Sequence, residues 1–270
     1  MTASTPRTGY APVNGLQLYY ELHGEGPPLV LLHGGFGLTS MFGPLLPALA
    51  ARHQVIAVEL QGHGHTADIE RPLRCESMAE DLAALLRHLG HERADVVGYS
   101  LGASVALRLA IQHPDAVRRL VLVSIPFSRQ GWFPEIREDM TRIDEARAAL
   151  LMRSPLYPAY TAVAPRPGDF TRLVVKMGEL LRQDYDWSRE VEALRMPVLL
   201  VYGDHDSVQP AHVMEFFGKL GGGQRDGGWD GSGMSRARLA LLPGRTHYNV
   251  LMAPEALQVV LPFLEQAAPR

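Results

Sequence analysis

Cysteine is almost missing from this chain: a single residue, Cys75, stands among 270. One thiol excludes an intramolecular disulfide and makes a reducing, cytoplasmic location the expectation. It lies in the polar stretch Leu73-Arg74-Cys75-Glu76-Ser77, where nothing activates it, so it reads as a spectator. Charge of one sign is equally scarce. The formal net charge is −3 with 20% charged residues, and no basic stripe offers itself to nucleic acid or an anionic membrane. No apolar run approaches the ~20 residues that span a bilayer, and Met1 to Arg7 holds no apolar signal core. Neither a P-loop nor a G-x-G-x-x-G turn is present, so no nucleotide, and no cofactor of another kind, is expected. The 46% hydrophobic fraction is ordinary for a globular protein, and the length suits one α/β domain.

What is there alternates in type. Leu16–Glu21 reads as a strand after a turn at Asn14-Gly15. Pro27 and Pro28 break the chain before Leu29–Leu32, a continuously apolar run of the kind covered on both faces. A helix is expected from about Thr39 to Ala51, and a second buried strand at Val55–Val58. Ser77 and Glu80 form a candidate capping box for a helix running through Leu82, Leu85, Leu86 and Leu89 to Gly90. Further strands read at Ala94–Val97, Leu120–Val123, Val198–Tyr202 and Leu239–Leu242, before a closing helix from about Pro254 to Gln266. Strands separated by helices imply an α/β fold, a mostly parallel sheet with helices on both faces. The rhythm stops between Ser124 and Leu194, a segment too long for a loop. Residues 124–194 are therefore expected to form a helical cap inserted in a core of residues 1–123 and 195–270. Gly221–Gly233 is too rich in glycine for helix or strand and reads as an exposed loop.

The residues with chemical capacity fall at the ends of these strands. Gly98-Tyr99-Ser100-Leu101-Gly102 has a strand before it and an Ala/Leu-rich helix after it. In that context G-x-S-x-G lifts a serine hydroxyl out of a strained turn, with the glycines giving strand and helix room to approach. A glycine-rich turn carrying an ordinary helix-capping serine is the competing account. A nucleophilic serine needs a base, an acid to orient that base, and donors for the oxyanion. Asp204 and Asp206 follow one strand and His247 follows the next, giving the chain order Ser, Asp, His. Loops at the carboxyl ends of parallel strands can converge. The two aspartates compete for the acid role, and the other would brace the loop through backbone N–H bonds. His63, His65 and the Asp204-His205-Asp206 run lack a complete ligand set at zinc spacing, so no metal is expected.

Together with His33-Gly34-Gly35-Phe36-Gly37, Gly62-His63-Gly64-His65-Thr66 and the Gly203 to Pro210 and Gly244 to His247 loops, the elbow makes the chain resemble a known family. It is similar to the α/β-hydrolase superfamily, specifically its capped serine esterase, haloperoxidase-like and C–C hydrolase branch, over nearly its whole length. The resemblance implies Ser100 as nucleophile, His247 as general base and Asp206 as orienting acid. It implies oxyanion donors at the N–H groups of Leu101 and of Gly35, or of Phe36 in its place, with His33 bracing the loop. It further implies an ester hydrolase working through an acyl-enzyme on small to medium, mostly apolar substrates. Hydrolysis of C–C bonds, lactone or peroxide chemistry at the same triad, and a non-hydrolytic binding protein on this scaffold are the alternatives. Serine at position 100 argues against the branches with an aspartate nucleophile. Phe36, Tyr99, Trp132, Phe133, Tyr157 and Tyr160 are expected to line an apolar pocket under the cap, favouring uncharged acyl groups over charged ones. No nucleic-acid or membrane partner is expected, and no feature of the sequence fixes an oligomeric state.

Overall fold

The runs Leu29–Leu32 and Val55–Val58 lie side by side as parallel strands in the middle of a sheet, every residue of both fully buried. A computed structural model of the chain describes residues 6–266. Its sheet has eight strands: β1 (Arg7–Val13), β2 (Leu16–His23), β3 (Pro28–Leu32), β4 (Gln54–Val58), β5 (Ala94–Tyr99), β6 (Val117–Val123), β7 (Val198–His205) and β8 (Ala237–Thr246). Their spatial order is β1-β2-β4-β3-β5-β6-β7-β8, antiparallel at the β1/β2 and β2/β4 pairs and parallel elsewhere. The pleat sends alternate residues to opposite faces. Val30, Leu32, Ile56 and Val58 therefore join one apolar cluster, and Leu29, Leu31, Val55 and Ala57 the other.

Helices close both faces. On the second face lie α1 (Leu45–Ala50) and α10 (Pro254–Glu265), through Leu45, Leu49, Ala256, Val260, Phe263 and Leu264. On the first lie α2 (Cys75–His88), α3 (Leu101–Gln112) and, after the segment described next, α9 (Pro210–Lys219). Residues 124–194 hold five helices between β6 and β7: α4 (Pro134–Thr141), α5 (Glu145–Leu151), α6 (Leu156–Thr161), α7 (Phe170–Arg182) and α8 (Ser188–Glu192). Helix α7 is their spine, burying Phe170, Leu173, Val174, Met177 and Leu180. The two ends of the segment are tied together where Arg129 N–H donates to Tyr185 C=O and Trp187 N–H to Phe127 C=O, both at 3.0 Å. Polar bonds fasten α7 to the sheet domain. Buried Asp68 accepts from Lys176 Nζ at 2.6 Å, and the same ammonium donates to the Ile69 and Arg71 carbonyls at 2.8 Å. Among the described residues no helix is long and apolar enough to cross a membrane.

The structure departs from sequence expectation in four places. The helix expected from Thr39 to Ala51 is a 3-10 turn at Thr39–Phe42 followed by the short α1, broken where Gly43 takes φ 44° ahead of Pro44. The edge strand β1 carries Gly9 and Pro12 and buries only Ala11 and Val13, so it has little of a strand's signature. Helix α2 begins at Cys75, with Arg74 at its N-cap, so the Ser77–Glu80 capping box does not form. Burial of Leu73 and Cys75 draws the helix start three residues back, and Glu80 instead receives bonds from Gln112 and His113 of the neighbouring segment. Strand β8 runs from Ala237 to Thr246, longer at both ends than its apolar centre.

Candidate active site

The sharp turn at Ser100 is built by what its neighbours lack. A Cβ on Gly98 would lie 2.4 Å from the Gly102 carbonyl oxygen, and one on Gly102 would lie 2.5 Å from that of His33. Only glycine allows β5, β3 and α3 to come this close. Between them Ser100 holds φ 52° and ψ −116°, outside the regions open to ordinary L-residues. The backbone is fixed there because Ser100 N–H continues the sheet ladder to Val123 C=O at 2.9 Å while its own C=O accepts from Ser104 N–H at 3.0 Å. Leu101 is the first residue of α3, so its N–H points out of the helix without an intrahelical acceptor.

Two other loops meet this turn. Ser100 Oγ lies 3.0 Å from His247 Nε2, and His247 Nδ1 lies 3.1 Å from Asp206 Oδ1. The register between β7 and β8 shifts at Gly203 to His205, just ahead of Asp206. The Asp206 carboxylate is buried and also accepts from Gly203 N–H at 3.2 Å and from Ser124 Oγ. Burial works to raise its pKa, but the bond and charge of His247, with the Ser124 and Gly203 bonds, outweigh it and hold the pKa below its ordinary value. Asp204 points elsewhere: it is exposed, and its carboxylate accepts from His205 Nδ1 at 2.9 Å and from Arg245 N–H at 3.2 Å. The His247 backbone is held in turn by Tyr99, whose hydroxyl donates to its carbonyl at 2.6 Å.

The His33 to Gly37 loop forms the facing wall. Gly37 N–H donates to Gly34 C=O at 3.0 Å, closing a tight turn that puts Phe36 at φ 59°. His33 Nδ1 lies 2.7 Å from Gly34 O, and its Nε2 accepts from Leu60 N–H at 3.1 Å. Burial, then the neighbouring His63, push this imidazole down to about 3, so it braces the loop as a neutral ring. Behind it, buried Glu59 accepts from Thr39 N–H at 3.1 Å and His65 N–H at 2.6 Å, tying the loop to the Gly62–Thr66 turn. A Cβ on Gly35 would meet Met177 of α7 at 2.9 Å, so the helical segment rests directly on this loop.

A cavity of about 580 Å³ opens at Ser100 and His247. Of the six residues expected in a pocket, Phe36, Tyr99 and Trp132 lie in its lining, beside Gly35, Leu101, Cys75 and Met177. Phe133, Tyr157 and Tyr160 do not. Tyr157 and Tyr160 pack on Phe170 at 5.1 and 5.3 Å between ring centres, filling the interior of the helical segment. Phe133 marks the start of α4, where its N–H donates to Ser207 C=O at 3.1 Å. Nor is the wall wholly apolar: Arg74, Arg129, Arg147, Glu76, Asp139 and Asp184 also face the cavity. Helix α4 buries none of its residues fully, so Ile136 and Met140 reach the cavity beside charged Asp139. Burial pushes the Cys75 thiol up to about 12, which keeps it protonated. Among the described residues no three His, Cys, Asp or Glu side chains stand together as a metal-binding group.

Sequence reasoning passed over Ser124. Ser124, at φ 57° directly after β6, carries the one signal that was available, a polar residue at the carboxyl end of a parallel strand.

Comparison with known proteins fits this architecture. Residues 27–156 match the alpha/beta hydrolase fold family. The pimeloyl-[acyl-carrier protein] methyl ester esterase of Aliivibrio salmonicida is 30% identical over 223 residues, 74% of this chain and 83% of that protein. The chain belongs to the alpha/beta hydrolase fold family. The enzyme of the same name from Nitrosomonas europaea is 29% identical to this hydrolase over 266 residues, 88% of the chain and 95% of the relative. Among solved structures, E-2-(acetamidomethylene)succinate hydrolase superposes on the hydrolase with a TM-score of 0.75 at 22% identity, covering 97% of this chain and 100% of that one.

Proposed function

We propose that this hydrolase cleaves carboxylic esters of small to medium, mostly apolar acids through a covalent acyl-enzyme, with residues 124–194 as its cap. The observation that carries the reading is the line of contacts from Ser100 Oγ to His247 Nε2 at 3.0 Å and from His247 Nδ1 to Asp206 at 3.1 Å. Ser100 Oγ attacks the ester carbonyl carbon while His247 Nε2 takes its proton. The carbonyl π electrons move to oxygen, and that oxyanion accepts bonds from the N–H of Leu101 and of Gly35 or Phe36. Asp206 holds the ring so that Nε2 faces the serine, and stabilises the imidazolium that forms. Collapse of the tetrahedral species breaks the bond to the leaving alcohol, which receives the proton from His247. Water, deprotonated by the same nitrogen, then attacks the acyl carbon, releases the carboxylic acid and restores Ser100. The esterases among its relatives support ester chemistry, and the cavity at Ser100 is of a size for a small molecule.

The test is turnover of p-nitrophenyl esters of rising chain length, run beside a lactone and a vinylogous diketone. The expected result is ester hydrolysis that falls by about 10⁴-fold or more in Ser100→Ala, with a serine-directed phosphonate attached at Ser100 alone. Full activity in that variant, or labelling elsewhere, overturns the mechanism. A diketone turned over faster than every ester replaces ester by C–C hydrolysis at the same residues.

A further inference from the structure

Among the described residues, three arginines face the cavity without a carboxylate of their own. Arg74 bonds only to the Gln183 amide at 2.7 Å, Arg129 only to the Leu181 carbonyl at 3.5 Å, and the Arg147 guanidinium has no partner among the described residues. Two of the three acids in the lining are already engaged: Glu76 lies 3.6 Å from Arg108 and Asp139 lies 3.4 Å from Arg142. Exposed Asp184 is left against three guanidinium groups, so the cavity holds an excess of positive charge inside a molecule whose net charge is −3.

Arg129 is the best placed of the three. It is half-buried, in a short turn that joins the sheet to the helical segment, and its backbone is pinned to Tyr185. The Tyr185 hydroxyl accepts from Trp132 Nε1 at 3.2 Å, and the Trp132 ring meets the His247 ring edge to face at 5.6 Å. Arg129, Tyr185, Trp132 and His247 thus form one continuous wall, with a cation at one end and the reacting histidine at the other. A half-buried guanidinium with no counter-charge is poorly compensated, and its free nitrogens form a fork that fits two oxygens of one anion.

We infer that Arg129 recognises an anionic group at the far end of the substrate's acyl chain, a carboxylate held away from the ester that Ser100 attacks. The inference rests on the ester-hydrolase reading above. A carboxylate suits this site because its two oxygens match the planar fork of one guanidinium. The same lining includes Trp132, Ile136, Met140 and Leu181, apolar surface that suits a methylene chain. The substrate class is then the half-ester of an aliphatic dicarboxylic acid, and the expectation that charged acyl groups are disfavoured gives way.

The experiment uses p-nitrophenyl half-esters of straight-chain dicarboxylic acids, each beside its methyl-capped neutral counterpart and a terminal phosphonate of equal length. The wild-type protein should prefer the free carboxylate in kcat/KM, mainly through KM, and added salt should weaken the preference. In Arg129→Gln the ratio of free to capped ester should fall by about 10- to 100-fold. Arg129→Lys, which keeps charge but not the fork, should recover part of it. Equal kcat/KM for free and capped esters, a loss in Arg129→Gln shared equally by both, or a preference for the phosphonate dianion overturns the inference. If no ester is turned over, the ester-hydrolase reading fails instead. Calorimetric binding of the free and capped half-esters to the wild type and to Arg129→Gln then decides the role of Arg129 without catalysis: a carboxylate preference that disappears in the variant sustains it, and no preference ends it.

Discussion

Two aspartates only two positions apart live in different electrostatic worlds, and that difference is testable. Asp206 is buried against His247, Ser124 and the Gly203 N–H, whereas Asp204 is exposed beside His205. Asp206→Asn should lower kcat by about 10⁴-fold, because the amide no longer fixes the ring for proton transfer. Asp204→Asn should change it only slightly. The same carboxylate governs a pH effect. Its pKa is depressed in the folded chain and ordinary, about 3.9, in the unfolded one. Its contribution to stability is therefore complete above pH ~4 and is lost as pH falls through the lower folded value. Denaturant unfolding of wild type and Asp206→Asn from pH 7 to 2.5 should show a stability gap that narrows on acidification below pH ~4. A gap of constant size across that range would contradict the assignment. Of the six residues expected to line the pocket, Phe36, Tyr99 and Trp132 do so because each sits in or beside a loop at a strand end. Tyr157 and Tyr160 do not, since an aromatic in a helical segment has two apolar destinations, cavity and interior, and sequence does not choose between them.

At the scale of the elements, glycine spacing decides how closely α3 can dock on the sheet. Gly102→Ala would set a methyl 2.5–2.7 Å from backbone atoms of Leu32 and His33, which cannot yield without moving β3. The expected destabilisation is about 1–3 kcal/mol or more, read by chemical denaturation, with a loss of activity from the displaced Ser100. Gly168→Ala is the matched control: its Cβ would meet nothing within 4 Å, and stability should change by less than about 0.5 kcal/mol. The elements themselves were legible where burial on both faces leaves an uninterrupted apolar run, as at Leu29–Leu32 and Leu120–Val123. They were illegible where a tertiary contact overrides local chemistry. The start of α2 is the clear case, because Ser77 and Glu80 match a capping box while the burial of Leu73 and Cys75 sets the true beginning.

For the whole molecule, the order of elbow, acid loop and histidine loop along the chain makes the fold readable. A parallel sheet leaves few ways to bring three strand ends together. Cavity charge was not readable, because Arg74, Arg129 and Arg147 are 18 or more positions apart and meet only through the packing of α2, α5 and the turn after β6. The glycine-rich stretch between α9 and β8 tests the opposite idea, that part of the molecule carries neither fold nor site. It has no helix or strand, and Trp229 at its tip is fully exposed. Asp226 and Asp230 shape it through bonds to Gly228 N–H at 2.8 Å and Ser232 N–H at 3.0 Å, both internal to the loop. Its two arms touch at a neck, where Gly233 N–H donates to Gly227 C=O at 2.9 Å and Gly233 lies against Asp226. Deleting 228–232 therefore rejoins residues already in contact and removes no residue that lines the cavity at Ser100. Shortening a loop also lowers the entropy of the unfolded chain slightly. The shortened protein should match the full chain in kcat/KM and differ in unfolding free energy by less than about 1 kcal/mol. A fall in ester turnover of tenfold or more would show that this loop reaches the site, and a large loss of stability that it holds β8 to the sheet.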